Sequence, residues 1–379
     1  MNPRFIDWWL AHPSLFGMPF HFWTGVLAIL GAFIGSFLNV CIHRMPRDLS
    51  VVNPPSHCPH CNYRIPWGLN IPVITWLWLR GRCRSCKAPI SPRYLAVELL
   101  TSAAFVIPWL AFGHHDPATA LSLCVLFAAF IVATFIDFEH FIIPDQITIG
   151  GTAAGFLLSG LAPGLHAAPS ASEALKRSLL GIAIGFGVVY GVVRLGKLLF
   201  GREKIRLDPG TRVVFHEEGV RLPDRDIPFG EIFYRDSDTI RMSGEQVQLA
   251  DRCYPAADVA LSMKELRVGP DSFVPADEPF LSARASLLVL PREAMGFGDV
   301  KFMAAIGAFL GWQSTLFTLG FASLLGAVVG VSLIAIGRRE WSGRLPFGPY
   351  LTVGAVVWIF GGARWWSALF APIDPPPFP

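Results

Sequence analysis

Residues 119–138 read Thr-Ala-Leu-Ser-Leu-Cys-Val-Leu-Phe-Ala-Ala-Phe-Ile-Val-Ala-Thr-Phe-Ile-Asp-Phe, a twenty-residue run whose single charged side chain, Asp137, stands at its end. A helix that crosses a hydrocarbon core of ~30 Å needs about 20 apolar residues. The run is therefore a membrane span, and Asp137 is a costly carboxylate at its edge. Similar runs lie near 20–41, 93–112, 142–161, 178–200, 299–312, 315–337 and 347–366, with the boundary between the sixth and seventh spans around Gly311-Trp312. Composition agrees. The 379 residues are 53% hydrophobic and 16% charged, with 30 Phe and 12 Trp, whereas a soluble domain carries about a quarter charged residues. Residues 1–20 lack the ordered charge, apolar core and cleavage site of a signal peptide, so the first span is expected to be retained.

The charge is divided between two regions. Residues 202–294 hold 13 Lys+Arg against 17 Asp+Glu, and the remainder, with 18 of the 31 basic and 11 of the 28 acidic residues, has a balance of +7. In the 43–93 loop, Arg44, Arg47, Arg64, Arg80, Arg82, Arg84, Lys87 and Arg93 face one acid, Asp48. Short basic loops stay in the cytoplasm. That places 43–93 and 201–295 inside, with Arg338-Arg339 also inside after the seventh span and both termini outside. Gly-x-x-x-Gly pairs at Gly31/Gly35, Gly181/Gly185, Gly187/Gly191 and Gly326/Gly330 allow close helix packing, and packing within the chain is the simpler reading.

The basic loop contains Cys58-Pro-His-Cys61 and Cys83-Arg-Ser-Cys86. Two C-x-x-C knuckles at this separation suit tetrahedral zinc. Disulfides are disfavoured in a reducing compartment, and four thiolates leave no open position, so the metal would be structural. His57 and His60 are unneeded ligands, and Cys41, Cys124 and Cys253 read as small apolar residues.

Ionisable groups in or beside spans are few: Glu98, Asp137, Glu139, Asp145, Asp299 and Lys301. Asp299 opens the sixth span after Gly296-Phe-Gly298, where glycines let backbone or substrate approach closely. In the topology above, Asp137 and Asp299 both lie at the cytoplasmic boundary. Two carboxylates sharing a site divide the roles of acid and base and can activate water. The residues alone leave a second reading open, in which these acids cap helices.

Five ordered segments resemble the bacterial type IV prepilin peptidases: Gly-Ser-Phe-Leu-Asn-Val-Cys-Ile-His-Arg-Met-Pro (35–46), the twin-Cys loop with Asn70-Ile-Pro-Val, Ser91-Pro-Arg-Tyr-Leu-Ala-Val-Glu98, Asp137 through Pro144-Asp145, and Gly296-Phe-Gly298-Asp299. The resemblance covers about 1–200 and 292–366. It implies an aspartic endopeptidase with catalytic Asp137 and Asp299, supported by Gly296, Gly298, Asp145 and Glu98. Its substrates would be type IV prepilins or pseudopilins, cut behind a basic leader at the cytoplasmic face of the bacterial inner membrane. The resemblance also implies N-methylation of the new terminus from S-adenosylmethionine, an activity associated with the Cys loop. No Rossmann-type glycine loop offers an independent site for that cofactor. The expected partners are the substrate and the lipid bilayer, with no nucleic acid. A zinc-loop assembly factor without protease activity and an intramembrane protease with another substrate are the alternatives.

The expected fold is an all-α polytopic membrane protein of about eight transmembrane helices. It comprises a first helix (1–42), a cytoplasmic four-Cys zinc loop (43–93), helices two to five (94–200), a soluble β-rich cytoplasmic insertion (201–295), helices six to eight (296–370) and a Pro-rich tail (371–379). The insertion departs from the family pattern. Alternating apolar and polar residues at 212–223 and 238–249, punctuated by Gly, predict short strands there.

Overall fold

Helix boundaries follow local chemistry. In the computed structural model, which describes residues 17–233, 238–278, 280–291, 296–337 and 345–370, α1 spans Phe20–Arg44 and α2 Pro92–Phe112. α3 is Pro117–His140, α4 Asp145–Leu161 and α5 Ala171–Phe200. α6 is Phe297–Ala335, followed by α7 (Gly348–Val357) and α8 (Ala363–Leu369). Arg338-Arg339, the tail 371–379 and most of the N-terminal stretch lie outside the described residues. Ser91 caps α2 by accepting the N–H of Arg93, with Pro92 as first helical residue. Asp116 caps α3 by accepting the N–H of Thr119, again followed by a proline. Both are favoured helix starts. Phe141, in the left-handed region at φ 56°, ends α3, and Pro144 precedes α4.

Contacts divide the chain into residues 1–189 with 297–379 and a second unit, Tyr190–Gly296. In the helical unit α3 is central: 67% of its apolar window is buried, against 39% for α1 and α2. Among the described residues, five helices are long and apolar enough to cross a membrane: Phe20–Arg47, Pro92–Phe112, Pro117–His140, Ala171–Leu198 and Phe297–Ala335. The molecule is thus a helical multi-pass protein with an added β-sheet. α4 has only 17 residues because Pro144 sets its start. The last predicted span is broken by a π-turn at Trp358–Gly362.

The 39-residue α6 reverses at Gly311 (φ 81°, ψ 177°). A Cβ added at Gly307 would fall 2.9 Å from Thr315 Cγ2, whereas eight residues of straight helix would separate them by about 12 Å. The two arms therefore run back against each other, dividing where the sequence reading put a boundary. The reversal frees the carbonyl of Ala308, which accepts Ser159 Oγ (3.0 Å) and Ser178 Oγ (2.8 Å). Ser159 Oγ also meets Nε2 of buried His166 at 2.8 Å, and His166 Nδ1 lies against Gly311. Burial lowers the His166 imidazole to about 4, so it is neutral at pH 7.

Three of the four glycine pairs pack within the chain, whereas a Cβ added at Gly187 or Gly191 would meet nothing. Cβ atoms added at Gly31 and Gly35 would fall 2.8 and 2.7 Å from Ser102 Cα and Glu98 Cα of α2. Gly181 and Gly185 lie against backbone carbonyls of α6. Small residues here let helices touch main chain to main chain.

Among its described residues, the Tyr190–Gly296 unit holds eight antiparallel strands: β1 (Arg202–His216), β2 (Gly219–Arg221), β3 (Asp226–Pro228), β4 (Ile240–Leu249), β5 (Cys253–Leu261), β6 (Leu266–Val268), β7 (Asp271–Phe273) and β8 (Leu281–Pro291). Their order is β3-β2-β1-β8-β4-β5-β6-β7. The unit is an internal duplication. Phe215 pairs Val220 as Leu261 pairs Leu266, and Val220 pairs Ile227 as Leu266 pairs Phe273, a constant shift of 46 residues. The fourth strands are exchanged: β4 pairs β5, and β8 pairs β1. At the centre Gly244 faces Ala285, flanked by Arg241–Val289 and Gln248–Ser282, so a pseudo-two-fold axis passes beside Gly244. The core is built from the strands themselves, including Val213, Phe215, Val259, Leu261, Val247 and Leu288.

Candidate active site and cysteine cluster

Asp137 stands in the last turn of α3 and is buried. Its Oδ2 accepts the N–H of Gly348, the first residue of α7, at 2.8 Å. Helix starts leave such N–H groups without intrahelical partners, so the bond satisfies α7 and orients the carboxylate together. A Cβ at Gly348 would lie 2.9 Å from Asp137 Oδ2 and 3.1 Å from Ile143 Cδ1. Asp299, also buried, is in the first turn of α6. A Cβ on the preceding Gly298 would lie 3.3 Å from Ile143 N and 3.4 Å from Ile143 O. Ile143, in the α3–α4 connection, is thus the common neighbour of the glycine that holds Asp137 and the glycine that precedes Asp299. Three chain segments bring the two acids to one end of the bundle. Gly348 was absent from the sequence reading; Phe347-Gly-Pro-Tyr at a predicted helix start was the available signal.

The other acids occupy different surroundings. Asp145 is exposed and pairs with Lys301, which also lies over the Phe297 ring at 5.2 Å. Glu139 pairs with Arg93 at the start of α2. Glu98 is buried and accepts the N–H of Val73 at 2.7 Å, so it ties the Cys loop to α2. Gly296 is exposed just before α6.

The four knuckle cysteines converge. All their sulfurs lie within 4.8 Å of one another, with Cys58–Cys86 at 3.8 Å and Cys61–Cys83 at 4.0 Å. A disulfide would need about 2.05 Å, whereas four sulfurs ~2.3 Å from a tetrahedral ion lie about 3.8 Å apart. The residues therefore fit a closed S₄ metal site. The two knuckles repeat one geometry: the Cys58 N–H donates to Tyr63 O and the Cys83 N–H to Ala88 O, and Asn62 and Lys87 are both left-handed. The backbone N–H of Cys86, foremost, brings the Cys83 thiol down to about 7, and that of Tyr63 lowers Cys61, whereas Cys86, despite the backbone N–H of Ala88, is pushed up to about 11 by burial and by the three neighbouring thiols. Cys41, Cys124 and Cys253 are unpaired thiols outside the cluster.

Together the apolar helices, the two buried acids near Ile143 and the cysteine cluster describe a helical membrane protein with buried carboxylates at one end. Residues 29–112 match the bacterial peptidase A24 N-terminal domain, and residues 124–205 and 271–331 match the type IV leader peptidase family. The chain is 29% identical to a prepilin leader peptidase/N-methyltransferase of Aeromonas hydrophila, over 95% of this chain and 98% of that one. It is 30% identical to the protein of the same description from Myxococcus xanthus (87% and 69%) and 35% identical to that from Dichelobacter nodosus (48% and 68%). The chain belongs to the type IV leader peptidase family. No solved structure matches it. The gap in the family match, 206–270, falls within the duplicated β-unit.

Proposed function

We propose that this chain removes the basic leader of type IV prepilins or pseudopilins at the cytoplasmic face of the bacterial inner membrane, with Asp137 and Asp299 as the aspartic pair. The observation that carries the reading is the shared neighbourhood of these two buried acids around Ile143, in a chain of this family. One ionised carboxylate takes a proton from water as the water oxygen attacks the scissile carbonyl. The other, protonated, donates to the carbonyl oxygen. Collapse of the tetrahedral adduct breaks the C–N bond and returns a proton to the leaving amine. Gly298 leaves room for the Ile143 main chain beside Asp299 and exposed Gly296 gives the substrate backbone room, while Glu98 and Asp145 support neighbouring segments.

Cys58, Cys61, Cys83 and Cys86 hold a structural zinc, which cross-links the two knuckles. S-adenosylmethionine supplies the methyl group for the new N-terminal amine in the second activity, in keeping with the naming of the relatives. About eight spans place the acids and the Cys loop on the same side.

The test replaces Asp137 or Asp299 with Asn in membranes and follows prepilin cleavage by mass. Each variant is expected to leave the precursor uncut. Processing at the unaltered rate by either would reject the pair.

A further inference from the structure

The Cys-rich loop has an apolar face that its own fold leaves uncovered. The short helix Ile74–Trp78 exposes Ile74 (62%), Leu77 (56%) and Trp78 (73%), which at spacings of three and four share one helix face. The helix is fixed to the loop by Trp76, whose ring lies so close to Gly81 that an added Cβ would fall 2.8 Å from it. Clustered exposed apolar side chains of this size mark an interaction surface.

The anchoring of this helix sets its depth. It starts immediately after Val73, whose N–H donates to Glu98. Glu98 is buried in the second turn of α2, with Gly35 of α1 packed on its Cα. At 1.5 Å per residue from Pro92, it lies about 9 Å inside the end of a helix long enough to span a membrane. The short helix is therefore held at the level of the bilayer boundary, not out in solvent. Around it the loop exposes Arg80, Arg82, Arg84 and Lys87, and its one acid is the distant Asp48. Trp and Leu beside clustered Arg, at the end of a span, is the composition that settles in an anionic headgroup layer.

We propose that the Cys-rich loop is a monotopic lipid-binding element. Ile74, Leu77 and Trp78 enter the headgroup–acyl boundary, and Arg80, Arg82 and Arg84 bind anionic phospholipid headgroups. Because Arg82 and Arg84 flank Cys83, the lipid contact holds the second knuckle at a fixed height above the bilayer. The surface stands independently of the peptidase assignment.

The test uses the full chain in nanodiscs, with an environment-sensitive fluorescent amino acid replacing Trp78. The discs contain phosphatidylcholine alone or with phosphatidylglycerol, and carry brominated acyl chains. Quenching by bromine with blue-shifted emission is expected, increasing with phosphatidylglycerol. Near a membrane surface each basic residue is worth about fivefold in lipid association. The Arg80→Glu/Arg82→Glu/Arg84→Glu variant should therefore shift the bound-to-free ratio of the loop more than tenfold. Hydrogen-exchange protection of the Cys58 and Cys83 amides reports that the loop has kept its fold. Solvated emission without quenching from the probe at position 78, with all three arginines in place, would overturn the proposal. So would quenching indifferent to phosphatidylglycerol, which would mean an apolar contact without headgroup recognition.

Discussion

The main-chain N–H of Gly348 donates to Asp137 Oδ2 across 2.8 Å, 211 residues away in sequence. The start of α7 thereby fixes one acid of the proposed pair, and only glycine leaves the space to do so, since a Cβ would lie 2.9 Å from that oxygen. Gly348→Ala is expected to swing the carboxylate and lower kcat for prepilin cleavage about 100-fold, as small displacements of catalytic groups do. KM should change less, because the substituted residue lies behind the acid. Steady-state kinetics with a purified prepilin, alongside a thermal melt to score folding, checks this. An unchanged kcat would remove Gly348 from the site.

Asp145 gives the opposite expectation. It is exposed and its partner is Lys301, an arrangement worth about 0–1 kcal/mol. Asp145→Asn should therefore retain cleavage within about fivefold. A loss comparable with that of Asp137→Asn would mean that Asp145 enters the chemistry.

The sulfur cluster predicts one zinc per chain in the purified protein. Elemental analysis should return a ratio near one, and near zero when all four cysteines are Ser. A closed S₄ site contributes stability, not an open coordination position, and binding energy of this kind is also folding energy. Metal removal is therefore expected to raise proteolysis of residues 50–90 before it affects cleavage of prepilin. Cleavage lost in step with the metal would contradict a purely structural role.

The duplicated sheet offers a local stability test. Gly244 sits at its pseudo-two-fold, where an added Cβ would fall 2.9 Å from both Ala283 Cβ and Val247 Cγ2. Overpacking of this kind costs about 1–3 kcal/mol. Gly244→Val should accelerate amide exchange across β4 and β8 and leave α3 protected. Unchanged exchange in β4 would mean that the sheet accommodates the added side chain without strain.

The apolar runs, the C-x-x-C pairs and the reversal near Gly311 were legible because each is a local pattern with one dominant physical cause. The strands at 212–216 and 240–249 were legible for the same reason, through alternation. The duplication was not, because the aligned halves share burial and register far more than residue identity: Phe215 corresponds to Leu261, and Ile227 to Phe273. Gly348 was missed because a main-chain donor leaves no side-chain signature. Glu98 was singled out as a costly membrane acid, but its partner, the N–H of Val73, depends on a loop path that no periodicity specifies.

His166 supplies a pH dependence whose sign is fixed by burial. Its imidazole, enclosed by Ser159, Gly311 and the α6 reversal, is brought down to about 4, against about 6.5 in the unfolded chain. Above pH 6.5 both states are neutral and the residue's contribution is fully present. As pH falls from 6.5 towards 4, the unfolded chain takes up a proton that the folded protein refuses, so stability drops by up to about 1.4 kcal/mol per unit. Melting temperatures in detergent at pH 7.5, 6.0 and 5.0 should fall more steeply for the wild-type chain than for His166→Gln. The variant should start lower at pH 7.5, because the geometry that lets Ser159 bridge the ring and the Ala308 carbonyl is lost. Parallel pH profiles would mean that the imidazole titrates alike in the folded and the unfolded chain, which would overturn the burial argument.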